Sequence, residues 1–347
     1  MDTAPLDARA PAPPGPPTPQ ETARYIVAEA IWAPSVHNTQ PWWFSTEGQR
    51  VSLYADAGRR LAVADPDGRE MMISCGAALF TLRLALRSLG YIPRTRVLPD
   101  PAQPMLVAHV SWRERAAATD LEKRLCSQVR RRRTHRGGFD AVPLSPDLLA
   151  ALTKGAARDG ATFRIIRDGG QRAVLAAAVD AAEQAIRLDS ARVQELVMWA
   201  SPPGSPRRDG VPSTSYSKRA EHTDPDFPGR DFAHGLGWGN PPLSSARSPR
   251  IAGVVGLLCT ADDRPADWVN AGQALQRVLL TAGTCGVAAA LHSQPLELPW
   301  LRQLIRGKLG GGHPQLLLRL GAVIQNEASV RRPPAEVLGR AAVRPAS

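Results

Sequence analysis

Several things are scarce in this chain. Aromatic side chains make up only 5% of its 347 residues, and its four cysteines (Cys75, Cys126, Cys259, Cys285) never fall in a Cys-x-x-Cys pair. That spacing excludes a zinc ribbon or a disulfide-stapled scaffold and predicts buried free thiols in a reducing cytoplasm. No His-Glu-x-x-His motif or His/Cys cluster offers ligands to a metal. No apolar run approaches the ~20 residues of a membrane span. The best, Ile251 to Cys259, has the pattern of a buried strand, so no membrane partner is expected. Met1 to Pro17 is rich in Pro and Ala, carries Asp2, Asp7 and Arg9, and lacks an apolar h-region. It therefore reads as a disordered tail and not as a signal peptide. Gly235-Leu236-Gly237-Trp238-Gly239 follows no strand pattern, which excludes a dinucleotide-binding turn there.

The apolar content of 43% is enough for one large or two medium domains with a real core. The net charge is +11, from 43 Lys and Arg against 32 Asp and Glu. The excess is mostly arginine dispersed through loops, with few aromatics interleaved, so no nucleic-acid partner is expected. One dense run stands out: Arg130-Arg131-Arg132-Arg133-Thr134-His135-Arg136-Gly137-Gly138-Phe139. A compact phosphate suits it, because a guanidinium is always charged and can grip two oxygens at once.

Along the chain, Thr18-Pro19-Gln20-Glu21 opens a helix with a capping Thr, a first-turn Pro and a Glu three residues on. Further helices are predicted at Glu70 to Leu89, Glu122 to Arg132, Ser145 to Ala157, Arg172 to Leu188, Ser190 to Trp199 and Asp267 to Gly283. Strands are predicted at Val51 to Ala55, Met105 to Trp112, Phe163 to Arg167, Ile251 to Cys259 and Gln315 to Gly321. Ser201 to Arg250 has little periodicity, and a segment that long reads as a lid or a disordered loop. The chain also repeats. Thr18-Pro19 and Ser145-Pro146 lie 127 positions apart (145 − 18), and Gly76, Ala78, Leu79, Leu84 and Gly90 match Gly272, Ala274, Leu275, Leu280 and Gly286 at an offset of 196 (272 − 76). The difference of 69 (196 − 127) places an insertion in the second half, where Ser201 to Arg250 lies. A duplicated α+β unit follows.

The first helix runs into Ala33-Pro34-Ser35-Val36-His37-Asn38-Thr39-Gln40-Pro41-Trp42-Trp43-Phe44, where Pro34 stops the helix and a polar turn precedes strand-like residues. This Pro-Ser-x-x-Asn-x-Gln-Pro-Trp-x-Phe string resembles the segment after the first long helix of flavin-dependent nitroreductases. In that family it comes from one subunit of a dimer and reaches the FMN held by the other. The basic run is similar to the family's phosphate arm, Arg-x-Ser-x-Arg/Lys-x-Phe, with Thr134 for Ser and one extra Gly before Phe139. Here the arm is present only in the second half, and the Pro-Ser-x-x-Asn element only in the first.

The resemblance, which spans Thr18 to Leu338 and is closest to the Acg-like actinobacterial branch, thus implies an α+β nitroreductase-like fold. Two tandem repeats would form a pseudo-dimer in one chain, sufficient as a monomer, with a single FMN site. The implied division is a tail at 1–17, a first half at 18–125, a second half at 126–338 with a lid-like insertion at about 201–250, and a tail at 339–347.

By the same resemblance, Arg132, Arg133, Thr134 and Arg136, with Arg331 and Arg332 from the C-terminal end, would cradle the phosphate. Pro34, Ser35, Asn38 and Gln40 would meet the ring edge. Ser293-Gln294-Pro295-Leu296-Glu297 looks like the family's Ser-x-Pro-x-Glu-Gly, whose backbone N–H groups near the Glu face the flavin, with Leu298 in place of Gly. The implied activity is hydride transfer from NAD(P)H through FMN to a small-molecule acceptor. The alternative is an FMN-sequestering protein whose lid prevents turnover. No catalytic side chain is required, and His37, His292 and His313 read as structural or hydrogen-bonding.

Overall fold

The computed structural model describes residues 18–218, 223–232, 234, 236–241, 251–323 and 329–339. The expected tails at 1–17 and 340–347, and the parts of the expected lid at 219–222, 233, 235 and 242–250, lie outside the described residues.

Helix α1 (Pro19–Ala30) starts on the Thr18–Glu21 capping box and buries Ala23, Ile26, Val27 and Ala30. Strands β1 (Trp42–Glu47) and β2 (Arg50–Ala55) form a hairpin, with Trp42 and Phe44 fully buried on the inner face. Helix α2 (Arg69–Ser88) follows, then β3 (Tyr91–Val97) and β4 (Leu106–Arg115). These four strands make one antiparallel sheet in the order β1-β2-β4-β3. Strand β3 escaped the sequence reading because its face is mostly exposed and polar. Helix α3 (Asp120–Gln128) stops four residues earlier than expected, so the arginine run is not helical.

The second half opens with α4 (Pro146–Ala157) and β5 (Thr162–Ile165), then α5 (Gly169–Leu188) and α6 (Ser190–Trp199). A two-strand pair follows, β6 (Ala200–Ser201) with β7 (Val211–Pro212). Then come β8 (Val254–Thr260), α7 (Pro265–Gly283), β9 (Val287–His292), α8 (Pro299–Leu309), β10 (His313–Ala322) and α9 (Pro334–Val337). The second sheet runs β5-β8-β10-β9. Counted within their own halves, the strands of both sheets stand in the same order. The registers agree as well: the first residue of β3, Tyr91, faces the last of β4, Arg115, and Val287 of β9 likewise faces Ala322 of β10.

Two observations concern the chain between β5 and β8. The chain separating β5 from β8 begins with α5 and α6, before Ser201. And the described part of 201–250 is packed: Tyr216, Phe227 and Phe232 are buried, the last beneath Leu196, Ala200 and Val211. The C-terminal segment, expected as part of the second half, returns to the first. Leu338 bridges to Phe44, Gly339 N–H donates to Phe44 O at 3.0 Å, and Val337 is fully buried.

Helices α2 and α7 cross at the centre, backbone against backbone. A Cβ on Gly76 would stand 2.2 Å from Val269 O, and one on Gly272 would stand 1.9 Å from Ile73 O. The contact is reciprocal at the sequence offset (272 − 76 = 269 − 73 = 196). Helix α2 is also long and apolar enough to cross a membrane, contrary to the reading from apolar runs, but 83% of that stretch is buried inside the fold. Helical spacing mixes Arg69, Glu70, Arg83 and Arg87 into it, which hides it from a search for unbroken apolar runs. Of the cysteines, Cys75, Cys126 and Cys259 are buried and free, whereas Cys285, just past α7, is exposed.

Gly272→Ala should therefore destabilise the fold by about 1–3 kcal/mol, since backbone cannot yield to the added methyl. Gly307→Ala, where nothing lies within 4 Å inside α8, should stabilise by about 0.5–1 kcal/mol. Denaturant melts of the two variants measure the contrast.

Candidate active site

The turn after α1 is held in an unusual backbone state. His37, Asn38 and Gln40 all have positive φ, at 45°, 54° and 50°. Such strain in non-glycine residues persists only where the surroundings over-determine it. Here they do. Ser35 Oγ accepts from Gln40 N–H at 2.9 Å, closing the turn. Asn38 N–H₂ donates to Gly210 O at 3.0 Å and Val330 O at 3.2 Å, and Gly210 N–H returns a bond to Asn38 O. Gln40 is fully buried; it donates to Arg208 O at 2.9 Å and accepts from Arg332 N–H at 2.8 Å. Asp209 is paired with both Arg59 and Arg207, which flank the Trp199 ring at 5.4 and 5.8 Å. One turn thus ties together the segment after β6 and the C-terminal segment.

Opposite the turn, Thr134 bridges to Ala289 and His135 N–H donates to Ala289 O at 2.8 Å, which lays the arginine run along the open edge of β9. Two joined cavities lie between. The larger, of about 890 Å³, has apolar walls from Ile73, Phe232, Leu275, Leu291 and Leu316, with Pro34 and Ser35 at its mouth. The smaller, of about 420 Å³, shares Pro34, Ser35, Thr134 and Arg136 and adds Asn38, Arg132, Arg133 and Arg331.

The small chamber gathers positive charge. Arg133 and Arg331 both lie over the Trp32 ring, at 5.2 and 5.5 Å. Arg331 is further fixed by Asn38 Oδ1 at 3.0 Å and by Trp32 O at 3.3 Å. Among the described residues, neither Arg132 nor Arg331 has a carboxylate partner, and the Nε of each has no hydrogen-bond partner. Burial together with Arg133 and Arg136 pulls Arg132 down to about 9, and burial with the other three guanidiniums holds Arg331 well below its usual value. Cations kept this close without a counter-ion are costly, and an anion in the chamber relieves the cost.

Of the sequence-selected residues, Pro34, Ser35, Asn38, Arg132, Arg133, Thr134, Arg136 and Arg331 come together at these cavities. The others do not line them. Gln40 and Arg332 are buried in the staple behind the turn, where Arg332 also reaches Glu336. Pro295, Leu296 and Glu297 lie behind Ser293 and Gln294, which do line the cleft. The N–H groups of Leu296 and Glu297, expected to face a flavin, close a 3₁₀ turn onto Ser293 O at 2.8 and 3.1 Å.

The structure adds Glu70, Arg230 and Arg319, which the sequence reading passed over, and places His37, read as structural or hydrogen-bonding, in the same lining. Glu70 and Arg319 carried a signal, since each is a charge inside an apolar pattern. Arg319 is 1% exposed, donates to His292 Nε2 at 2.8 Å and lies over Phe139 and Phe227. Arg230 sits in the aperiodic segment and carried none. It donates to Glu297 at 2.5 Å, to Ser293 at 3.3 Å and to His37 Nε2 at 3.3 Å.

His37 is buried beside Arg230, and both effects press its proton affinity down to about 3 from an ordinary 6.5. Between those values the unfolded chain binds the proton and the folded chain does not, so stability falls as pH drops from about 6.5 toward 3. In His37→Asn, which keeps an acceptor and suits positive φ, the acid limb of a stability–pH curve should flatten in that window. A limb unchanged in slope would show that His37 does not contribute to it.

No family model matches the sequence. Among solved structures, a nitroreductase with bound FMN from Bacteroides fragilis aligns at 12% identity with a TM-score of 0.35, covering 60% of this chain and 94% of that one. The FMN-dependent nitroreductase NfnB from Mycobacterium smegmatis, in complex with NADPH, aligns at 13% identity and 0.34, covering 59% and 90%. The curated relatives are much nearer in sequence. Rv3131 of Mycobacterium tuberculosis, named as an NAD(P)H nitroreductase, is 33% identical over 307 residues, 87% of this chain and 85% of its own length. Acg of the same organism, also named as an NAD(P)H nitroreductase, is 30% identical over 327 residues, 91% and 95% of the two chains. The chain belongs to the NAD(P)H nitroreductase family, in the branch that contains Acg.

Proposed function

We propose that the chain binds one FMN across the two joined cavities and acts as an NAD(P)H-dependent oxidoreductase on a small-molecule acceptor. The carrying observation is the pair Arg132 and Arg331, cations without carboxylate partners in a chamber that opens into an apolar cleft. A phosphate with an attached flat ring matches both parts. Bound FMN would supply the redox chemistry, and the protein's part is to orient it and set its surroundings. Arg132, Arg133, Thr134, Arg136 and Arg331 would hold the phosphate. Pro34 and Ser35 would border the ring, with the Ser35 hydroxyl hydrogen left to donate, since its oxygen accepts from Gln40 N–H. The walls Ile73, Leu275 and Leu316 would exclude water from one side.

The same reading makes the molecule a fused pseudo-dimer. In support stand the matched strand orders, the reciprocal glycine crossing of α2 and α7, and the equal twelve-residue helices α1 and α4 with their Thr-Pro and Ser-Pro starts. The cavities draw on both halves, Pro34 to Asn38 from one and Arg132 to Arg136 from the other. The three buried free thiols favour a reducing cytoplasm.

A second reading, flavin sequestration, is favoured by the latch at Asp209. That carboxylate is held by Arg59 and Arg207, and the segment it anchors carries Gly210 and Ser215 onto the phosphate chamber. Arg59→Ala, which frees one side of the latch, separates the readings. If the latch limits access, NAD(P)H oxidation should rise in the variant; equal rates would remove sequestration by this segment.

The FMN proposal is tested by the double variant Arg132→Ala/Arg331→Ala. Losing buried charge partners of the phosphate costs about 2–5 kcal/mol, a weakening of roughly thirtyfold or more. Titration should show that loss for FMN and little change for riboflavin, which has no phosphate. Unchanged FMN affinity would overturn the assignment.

A further inference from the structure

Beneath the cleft lies a buried set of acids larger than its set of cations. Asp65, Glu70, Glu183 and Glu297 are 4%, 6%, 4% and 7% exposed. Two guanidiniums reach into this set. Arg69 holds Glu70 Oε1 at 2.9 Å, and Arg230 holds Glu297 Oε1 at 2.5 Å. Arg302, next to Arg69, is already matched by Asp263 at 2.7 Å. Among the described residues, with every carboxyl ionised, the set would carry two uncompensated negative charges (4 − 2) at buried positions, which is far costlier than keeping two protons.

The geometry says which groups keep them. Asp65 accepts two backbone N–H bonds at the start of α2, from Glu70 at 3.0 Å and Met71 at 2.9 Å, and is satisfied as an anion. Glu297 has the shorter ion pair, 2.5 Å against 2.9 Å for Glu70, and its Oε1 is the one Arg230 holds. Glu70 and Glu183 remain; like Glu297 Oε2, their Oε2 and Oε1 respectively have no partner among the described residues. Glu70 is the one in the wall of the cleft. Its other oxygen is held by Arg69, which is fixed in turn by Gln315 O at 2.8 Å and Leu296 O at 3.2 Å.

We propose that Glu70 is a carboxylic acid kept protonated at neutral pH, and that it delivers the proton that accompanies hydride transfer to an oxygen-bearing acceptor in the cleft. This rests on the flavin reading above. With a quinone as acceptor, two electrons and one proton arrive as hydride originating from NAD(P)H, and the second proton leaves Glu70. The products are the hydroquinone and NAD(P)⁺. Glu70 is then a carboxylate beside Arg69 and takes a proton back from solvent. Burial, with Glu297 and Asp65 adding to it against Arg69 and Arg230, raises the Glu70 carboxyl to about 8, and burial raises Glu183 as well. A donor near ambient pH is the efficient one.

The test uses Glu70→Gln, which keeps an acceptor for Arg69 and has no proton to give. The rate of quinone reduction relative to that of ferricyanide, a one-electron acceptor needing no proton, should fall about 10²-fold. In the wild type, quinone turnover should fall as pH rises through about 8, and ferricyanide turnover should not. Independently of turnover, infrared spectra of the resting protein should show protonated-carboxyl C=O absorption that loses the Glu70 component in Glu70→Gln and keeps that of Glu183. Quinone reduction unchanged relative to ferricyanide in the variant, or a band that survives there undiminished, overturns the proposal. Loss of ferricyanide reduction and of bound flavin in the wild type would instead count against the flavin reading, and the infrared band would still decide whether Glu70 holds its proton.

Discussion

The close approach of α2 and α7 sets the geometry of everything else. At Gly76 and Gly272 no side chain separates the helices, so backbone meets backbone and the distance between the two halves is fixed by atoms that cannot adapt. The residues one turn away from the crossing then become walls: Ile73 from one helix and Leu275 from the other face the same cleft. The same placement brings the strained turn after α1 opposite the arginine run beside β9. The cleft is therefore a property of the junction, and neither half contains it alone.

Electrostatically the junction has two ends of opposite character. Among the described residues, the small chamber gathers four guanidiniums, of which Arg132 and Arg331 have no carboxylate partner, and under the large one four buried carboxyls meet two guanidiniums. Both groups are buried, where charge is expensive. Trp32 carries Arg133 and Arg331 on its ring, and Asn38 adds a bond to Arg331. Asp65 and Arg69 fix Glu70 at the start of α2.

Much of the fold could be read from the residues. The capping box at Thr18 to Glu21, the Ser145-Pro146 start and the spacing of small and apolar residues in α2 and α7 located the helices closely, because capping and periodicity are local. Gly76 and Gly272, matched at the offset of 196, stand at the same helix crossing in the folded chain, a contact that the offset itself did not announce. Strands β3 and β9 and helix α8 were among the elements missed: β3 is an edge strand with an exposed polar face, β9 is a short Ala-rich run, and α8 follows a turn whose Pro295 and Pro299 obscure its start. Eight of the residues selected for the site came together: seven because the Pro-Ser-x-x-Asn and Arg-rich strings place them in two short runs, and Arg331 because the C-terminal segment folds back onto the turn.

What was not legible depends on which side chain is already engaged. Gln40, Arg332 and Glu297 have the right chemistry for a cofactor, yet their hydrogen bonds are spent on the turn staple and on Arg230. Arg230 and Glu70 lie 160 positions apart (230 − 70), and no periodicity links them. The sequence by itself determined most of the elements and the two strings that line the smaller chamber, because caps, periods and short motifs act within a few residues. Only the tertiary structure decided which polar groups remain unspent and which charges are buried together, because burial and charge balance are sums over residues that folding alone makes neighbours.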